Sequence, residues 1–437
     1  MSTSDKRANP LAGPPQRQSE QPAAPARLHI PHPPARPGQP PDFSYLKTSA
    51  AGAVERPEVM AAREELYPLA DQLIRVLDDE HRALGPWNPQ LGVAELQRAL
   101  RYMLLTRLFD DHMQRIQRQG RISFYVKSAG EEAVSVAAAM ALQAQDMLFP
   151  SYRNQGLQIA RGQALVELMC QCLSNTRDMC KGRQMPVFYH WAAGNLFSVS
   201  GNVATQFPQA VGWAMAAALR GDGRIAATWI GDGSSAEADF HYALTFAAVY
   251  RAPVILNVVN NQWAISTFQG FAGGENRTFA ARGPGYGLPG LRVDGNDLLA
   301  VYAVTRWAAE RARRGGGASL IELVTYRASA HSTSDDPARY RPKEEQRAWP
   351  LGDPIERLEQ HLRALGRWSA EDQQQLRAEL DAQVASAWAE AMRYGTLTEP
   401  PLLPSSSMFE DVFAQMPPHL RRQREELAAL KRSETDE

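Results

Sequence analysis

The sequence predicts an α/β fold, a mainly parallel sheet with helices on both faces, with a Pro-rich N-terminal arm and a helical C-terminal region. Three observations lead there. There are three short apolar runs, "RIAATWI" at 224–230, "PVILNVVNN" at 253–261 and "ASLIELVTYR" at 318–327, the first two each preceded by a stretch with helical character. That alternation builds parallel strands through right-handed crossovers. Gly-Asp-Gly occurs twice, at 221–223 and 231–233, on either side of the first of these runs. Finally, 11 of the 30 prolines fall between Pro10 and Pro41, a density that favours an extended polyproline-like arm over any packed element. The expected divisions are an extended or disordered arm over 1–50, a helical region over 51–125, the α/β domain over 126–350 and a helical region over 351–437.

Composition excludes several function classes. Lys and Arg number 47 against 48 Asp and Glu, a formal net charge of −1, with no basic block that would mark a nucleic-acid surface. No apolar run approaches the roughly 20 residues of a spanning helix, and the N-terminus has no apolar stretch like that of a secretory signal. The arm is broken by proline too often to read as a mitochondrial targeting helix. An intracellular protein without nucleic-acid or membrane partners is expected. The cysteines, Cys170, Cys172 and Cys180, are odd in number and confined to one segment, so they read as buried thiols and not as a disulfide framework.

Along the chain, "AELQRALRYMLLTRLFDDHMQRIQR" at 94–118 sets Leu96, Leu100, Leu104, Leu108 and Ile116 on one helical stripe with Met103 beside it, which makes that stripe core. "GEEAVSVAAAMAL" reads as a small-residue helix that packs closely, and "DMLFPSYRNQG" as a short strand and a polar turn. The first Gly-Asp-Gly follows the helical run 204–219, so its glycines supply a helix C-cap and a reversal. The second lies between a strand and a helix, where Ser234 and Glu237 have the spacing of a capping box. A glycine turn at that junction is where backbone N–H groups and the helix dipole receive phosphate.

Gly231-x-Gly233-x-x-Ala236 also satisfies a dinucleotide fingerprint. Two features oppose that reading. The next strand ends in Asn260 and Asn261, not in the acid that would bind a ribose. Asp232 would also stand in the pyrophosphate cradle, where two anions within ~4 Å repel by about 4 kcal/mol at an effective dielectric near 20. A divalent cation removes the conflict. The 26 residues from 234 to 259 suffice for one helix and a return strand. Neighbouring strands about 4.8 Å apart would then let Asp232 and Asn261 both reach a Mg²⁺ at about 2.1 Å.

Gly-Asp-Gly, 26 residues and Asn-Asn together resemble the diphosphate-and-magnesium motif of thiamin-diphosphate-dependent enzymes. "RQGRISFY", "ATQFPQAVGWA", "NNQWAIST", "ARGPGYG", "RVDGND", "HSTSDD" and "MFEDVFAQMPPHLRRQ", in this order over roughly residues 95–425, resemble the alpha subunits of branched-chain 2-oxo acid dehydrogenases. The resemblance implies the thiamin-diphosphate-binding fold and a metal site of Asp232, Asn261 and the Trp263 carbonyl. It also implies cofactor contacts from Tyr152, Arg153, Ser200, Gly231, Gly233, Ser234 and His331, with His331 also catalytic. A potassium loop maps onto Ser200, Asn202, Thr205 and Gln206, although "SGNVATQ" departs from the pattern in its middle. Animal relatives carry an arginine where this chain has Val259, so Arg153 and Arg327 are expected to carry more of the diphosphate charge. Of two serines phosphorylated in animal relatives, one position is Ser332 and the other is Pro342, which argues against a dedicated kinase.

The implied activity is decarboxylation of branched-chain 2-oxo acids with transfer of the acyl unit to lipoyl groups of an acyltransferase component. The loop "KGRQMPVFYHW" at 181–191 resembles branched-chain rather than pyruvate members. A glutamate needed to activate the cofactor belongs to the beta subunit in this family, so an α2β2 heterotetramer is implied, in the cytoplasm of a bacterium or the mitochondrial matrix of a eukaryote. Two other readings compete with it, a nicotinamide-dependent oxidoreductase and a scaffold that has kept the fold without the chemistry.

Overall fold

A computed structural model describes residues 28–435; the part of the arm expected over 1–27 lies outside the described residues. The chain begins with a one-turn helix α1 (Arg63–Leu66) and a short edge strand β1 (Leu73–Ile74). Then come α2 (Val93–Arg118), α3 (Glu132–Ala141), β2 (Met147–Phe149), α4 (Gln155–Arg161), α5 (Leu165–Leu173) and α6 (Gln206–Arg220). The next elements are β3 (Ala226–Gly231), α7 (Ala238–Val249), β4 (Val254–Asn260) and a two-stranded turn of β5 (Trp263–Ala264) and β6 (Thr267–Phe268). The chain closes with α8 (Arg282–Gly285), β7 (Gly290–Asp294), α9 (Leu298–Arg313), β8 (Ser319–Val324), α10 (Pro354–Ala364), α11 (Ala370–Ala391) and α12 (Pro418–Thr435).

Six strands form one parallel sheet in the order β1-β7-β8-β4-β3-β2. Its central strands are apolar and buried on both faces, as a sheet covered by helices requires. On one face α3 and α9 share a core with Leu100 and Met103 of α2; on the other, α6 and α7 pack through Phe207, Phe240 and Leu244. Lower on α2, Leu104 and Leu108 pack with α5 and with Leu376 and Leu380 of α11. The expected stripe is therefore core along its length: Leu96, Leu100, Leu104, Leu108 and Ile116 are all buried.

Two expectations are corrected. Residues 51–125 are not wholly helical, since β1 pairs in parallel with β7 there, Leu73 opposite Arg292. Two residues are too few to show a strand period. Ser234 and Glu237 form no capping box: α7 starts at Ala238, and its N-cap Glu237 makes no side-chain bond. A 3-10 turn over 233–236 intervenes, held by Ser235, whose Oγ donates to the Asp232 carbonyl at 2.6 Å.

Residues 28–50 lie on their own chain. The side chain of His29 meets Glu275, Arg292 donates to the Lys47 carbonyl, and Tyr45 donates its hydroxyl to Gln262 Oε1 at 3.0 Å. Phe43 and Tyr45 stand edge-on to Trp349 and Phe268, covering an aromatic cluster that includes Trp263. Tyr45→Ala removes a half-buried ring and strands a buried acceptor, so it should destabilise the protein by about 2 kcal/mol. Thermal denaturation against the exposed control Tyr67→Ala checks this; equal melting temperatures would mean the arm contributes nothing to the fold.

Candidate active site

Parallel pairing brings the carboxyl ends of three strands level, with Gly231 opposite Val259 and Asn260 opposite Val324. The loops leaving these ends, with the turn after β2, enclose a cavity of about 490 Å³. Tyr152, Arg153, Gly231, Asp232, Gly233, Ser234, Asn261, Trp263 and His331 all line it. These residues come from four segments spread over 180 positions, residues 152–331. Ser200 is not brought in: its neighbours Gly201 and Val203 line the rim, while its hydroxyl turns back to the Asn202 carbonyl at 3.4 Å.

The two Gly-Asp-Gly sequences differ as their surroundings dictate. Gly221 adopts φ 66° as the left-handed C-cap of α6, and Asp222 is held by Arg224 at 2.7 Å on the surface. Asp232, by contrast, is 1 % exposed, and its Oδ2 has no hydrogen-bond partner. Burial pushes its carboxyl up to about 6, against the lowering effect of the Gly233 N–H and the Arg327 charge. Gly233 admits no side chain, since a Cβ there would lie 2.4 Å from that of Ala264.

Asn261 presents a buried amide beside it. Its Nδ2 donates to Glu131 Oε1 at 2.8 Å, and its Oδ1 accepts from the Trp263 N–H at 3.3 Å. Arg153 crosses the cavity floor, donating through Nη1 to the Lys127 carbonyl at 2.5 Å and through Nη2 to the His331 carbonyl at 3.0 Å. It is the one Lys or Arg side chain among the described residues lining the cavity. Val259 is buried in the core and offers no charge.

Arg327 does not take the role expected of it. It is fully buried and spends its N–H groups on the carbonyls of Trp263 and Ile265 and on the Tyr340 hydroxyl. It braces the 263–265 turn and does not face the cavity. Glu131 is the residue that sequence reasoning passed over. It is 3 % exposed, lies 3.6 Å from Arg153, and burial pushes its carboxyl up to about 7. Its signal was present in "GEEAVS", where two acids open an otherwise apolar, small-residue helix.

His331 sits after β8 with its ring edge-on to Tyr152. Burial, then the charges of Arg153 and Arg327, push it down to about 3. Its Nδ1 lies 3.3 Å from Arg153 Nη2. A guanidinium only donates, so Nδ1 accepts and the neutral ring carries its proton on Nε2.

This arrangement fits a diphosphate held through a divalent cation. The unpartnered buried oxygen of Asp232 needs a cation or a proton, the Asn261 amide and the Trp263 carbonyl add neutral oxygens, and Arg153 provides a positive charge for phosphate oxygens. A dinucleotide site would leave that carboxylate facing pyrophosphate without compensation.

The family described as dehydrogenase E1 component matches residues 100–399, and the one described as 2-oxoisovalerate dehydrogenase E1 alpha subunit N terminal matches residues 24–64. The chain is 58% identical to the 2-oxoisovalerate dehydrogenase subunit alpha of Pseudomonas aeruginosa, over 92% of this chain and 98% of that protein. It is 40% identical to the mitochondrial 2-oxoisovalerate dehydrogenase subunit alpha of Mus musculus, over 82% of this chain and 79% of that protein. With Arabidopsis thaliana subunit alpha 1 the identity is 38%, over 84% and 75% of the two chains.

The His331 surroundings set a pH expectation. Its folded pKa lies below the ordinary 6.5, so its contribution to stability is complete above pH 6.5 and is lost as the pH falls toward about 3. NMR of the His331 ring should therefore show a neutral Nε2–H tautomer with no titration from pH 8 down to about 5. A midpoint near 6.5 would contradict the buried, Arg-flanked geometry.

Proposed function

The chain belongs to the dehydrogenase E1 component family, among the 2-oxoisovalerate dehydrogenase alpha subunits, and from that premise we propose how its residues divide the work. It is the alpha half of a thiamin-diphosphate-dependent 2-oxo acid dehydrogenase. Our reading is that Asp232, Asn261 and the Trp263 carbonyl hold Mg²⁺, while Arg153, Tyr152 and the backbone around Gly233 and Ser234 hold the diphosphate. One observation carries this: Asp232, whose Oδ2 is buried without a partner, lines the same cavity as Asn261, Arg153 and His331. With Val259 in the core and Arg153 the single lining cation, most of the charge compensation for a diphosphate falls to the metal.

Thiamin diphosphate, when bound, supplies the carbon nucleophile and electron sink that a 2-oxo acid needs in order to lose CO₂. Around it the chain orients and shields. Arg153 is held through both Nη groups, to Lys127 and His331, so its charge is fixed in place before a phosphate arrives. His331, neutral and with its Nε2 proton available, donates a hydrogen bond to substrate or to the incoming lipoyl acceptor. Phe124, Met185 and Phe188 line the cavity with apolar surface, which suits a branched aliphatic chain and supports 2-oxo acids such as 3-methyl-2-oxobutanoate. Met185 and Phe188 belong to the loop at 181–191 whose likeness to branched-chain members was noted from its residues.

The site is read as half of a whole. Met185, Val203, Ile265 and Phe271 rim the cavity and are about half exposed, at 50%, 46%, 55% and 55%. Clustered apolar exposure of this kind marks a surface that a partner covers. A beta subunit in an α2β2 assembly is the partner proposed, with the lipoyl-bearing acyltransferase as acceptor. The proposed location is the bacterial cytoplasm, or the mitochondrial matrix in a eukaryote; among the described residues no helix is long and apolar enough to cross a membrane. For potassium, the buried Gln206 Oε1 has no hydrogen-bond partner, and Gln206 opens α6 directly after the loop carrying Ser200 and Thr205, which supports a monovalent cation there.

Two outcomes test this division. Asp232→Ala should abolish Mg²⁺-dependent binding of thiamin diphosphate in calorimetry, while Asp222→Ala leaves it nearly intact; equal losses would mean that the metal site is misplaced. The chain purified alone should not decarboxylate 3-methyl-2-oxobutanoate, and co-expression with the beta subunit should restore turnover. Robust activity of the lone chain would remove the half-site argument.

A further inference from the structure

The amide of Asn261 has two ends of nearly the same shape, and only the oxygen can ligate a cation. What decides which end faces the cavity is its pair of neighbours. An oxygen that accepts, Glu131 Oε1, stands 2.8 Å from one end, and an N–H that only donates, that of Trp263, stands 3.3 Å from the other. Turning the amide over would set oxygen against carboxylate and NH₂ against N–H. Glu131 thereby makes the flipped state costly by both repulsion and lost bonds.

Glu131 is itself rigidly held. Gly130 before it has φ 92°, and a Cβ there would lie 2.2 Å from the Tyr326 carbonyl, so the turn admits no other residue. The Gly130 carbonyl accepts from Thr325 Oγ1 at 2.8 Å, and the Glu131 N–H donates to the Ser128 carbonyl at 2.9 Å. The turn that carries this carboxyl into α3 is thus pinned to Thr325, just past the end of β8 that leads to His331. Glu131 Oε1 lies 3.6 Å from Arg153 Nε, so one oxygen faces both a metal-ligand amide and the phosphate-binding guanidinium.

We propose that Glu131 is the positioning residue of the cofactor site: it locks the Asn261 amide with its oxygen toward the cation and holds Arg153 beside it. This rests on the assignment of Asn261 as a metal ligand. Residues that orient metal ligands are worth about 10–100-fold in metal affinity.

The test is Mn²⁺ binding, followed by EPR, to the co-expressed alpha–beta complex saturated with thiamin diphosphate. Glu131→Leu should weaken Mn²⁺ by about tenfold or more, whereas Glu131→Gln, whose oxygen still accepts from Asn261, should stay within about threefold. Asn261→Asp should bind Mn²⁺ poorly because two carboxylates then face each other. Adding Glu131→Gln to Asn261→Asp reverses donor and acceptor and should recover about tenfold. The near-isosteric pair decides the matter if Glu131→Leu fails to fold. If Asp232→Ala loses Mn²⁺ while Glu131→Leu binds normally, or the Asn261→Asp and Glu131→Gln effects simply add, Glu131 is only a counter-charge and the proposal falls. If Asp232→Ala and Asn261→Ala both bind Mn²⁺ normally, the metal assignment fails, and this proposal with it.

Discussion

A carboxylate oxygen buried without a partner is among the least tolerable features in a protein interior, and Asp232 Oδ2 is one. The chain offers it little relief. The compensation comes from the backbone N–H groups of Gly233 and of Asp232 itself and from the charge of Arg327, and burial still pushes the group up to about 6. At neutral pH the residue is therefore mostly ionised at a cost to stability. A cation bound beside it returns that cost as binding energy. Other features of the site fit the same requirement: neutral oxygens nearby, a glycine that keeps side chains out, and one guanidinium in the same cavity.

Much of this was legible from residue types and spacing, because parallel α/β topology converts sequence order into spatial convergence. Three apolar runs that end in polar residues must place those residues at one edge of the sheet if the strands are neighbours. They are, in the order β8-β4-β3, which brings Asp232, Asn261 and His331 together. What spacing could not show was side-chain destination. Arg327 carries the right charge at the right strand end, yet backbone carbonyls at 263 and 265 capture it. Ser234 has a capping-box partner at the right interval, yet a 3-10 turn displaces the helix start to 238. Glu131 escaped notice for the opposite reason, since an acid at a helix N-terminus has an ordinary explanation in the helix dipole. Its interaction with Asn261 spans 130 positions.

The turn after Asn261 shows how far the remaining structure is bent to hold this geometry. Gln262 adopts φ 76° and Ile265 φ 55°, left-handed conformations that cost non-glycine residues roughly 1–2 kcal/mol each. Gln262 is held there through its own side chain: Nε2 donates to the Asn260 carbonyl at 3.0 Å, and Oε1 accepts from Tyr45. From the other side Arg327 grips the Trp263 and Ile265 carbonyls. Gripping the Trp263 carbonyl also orients it, leaving a second lone pair for a cation. The N-terminal arm and a buried arginine thus clamp one strained turn from two directions. Strain of this kind persists only where its surroundings over-determine it, and here they fix the positions of 261 and 263, the two places at which a cation would be bound after Asp232. The mouth of the cavity is more open. Its rim is apolar and about half exposed, from Met185 to Phe271. The proposed metal and diphosphate end is held by bonds within the chain, and the proposed substrate end is left for a partner to complete.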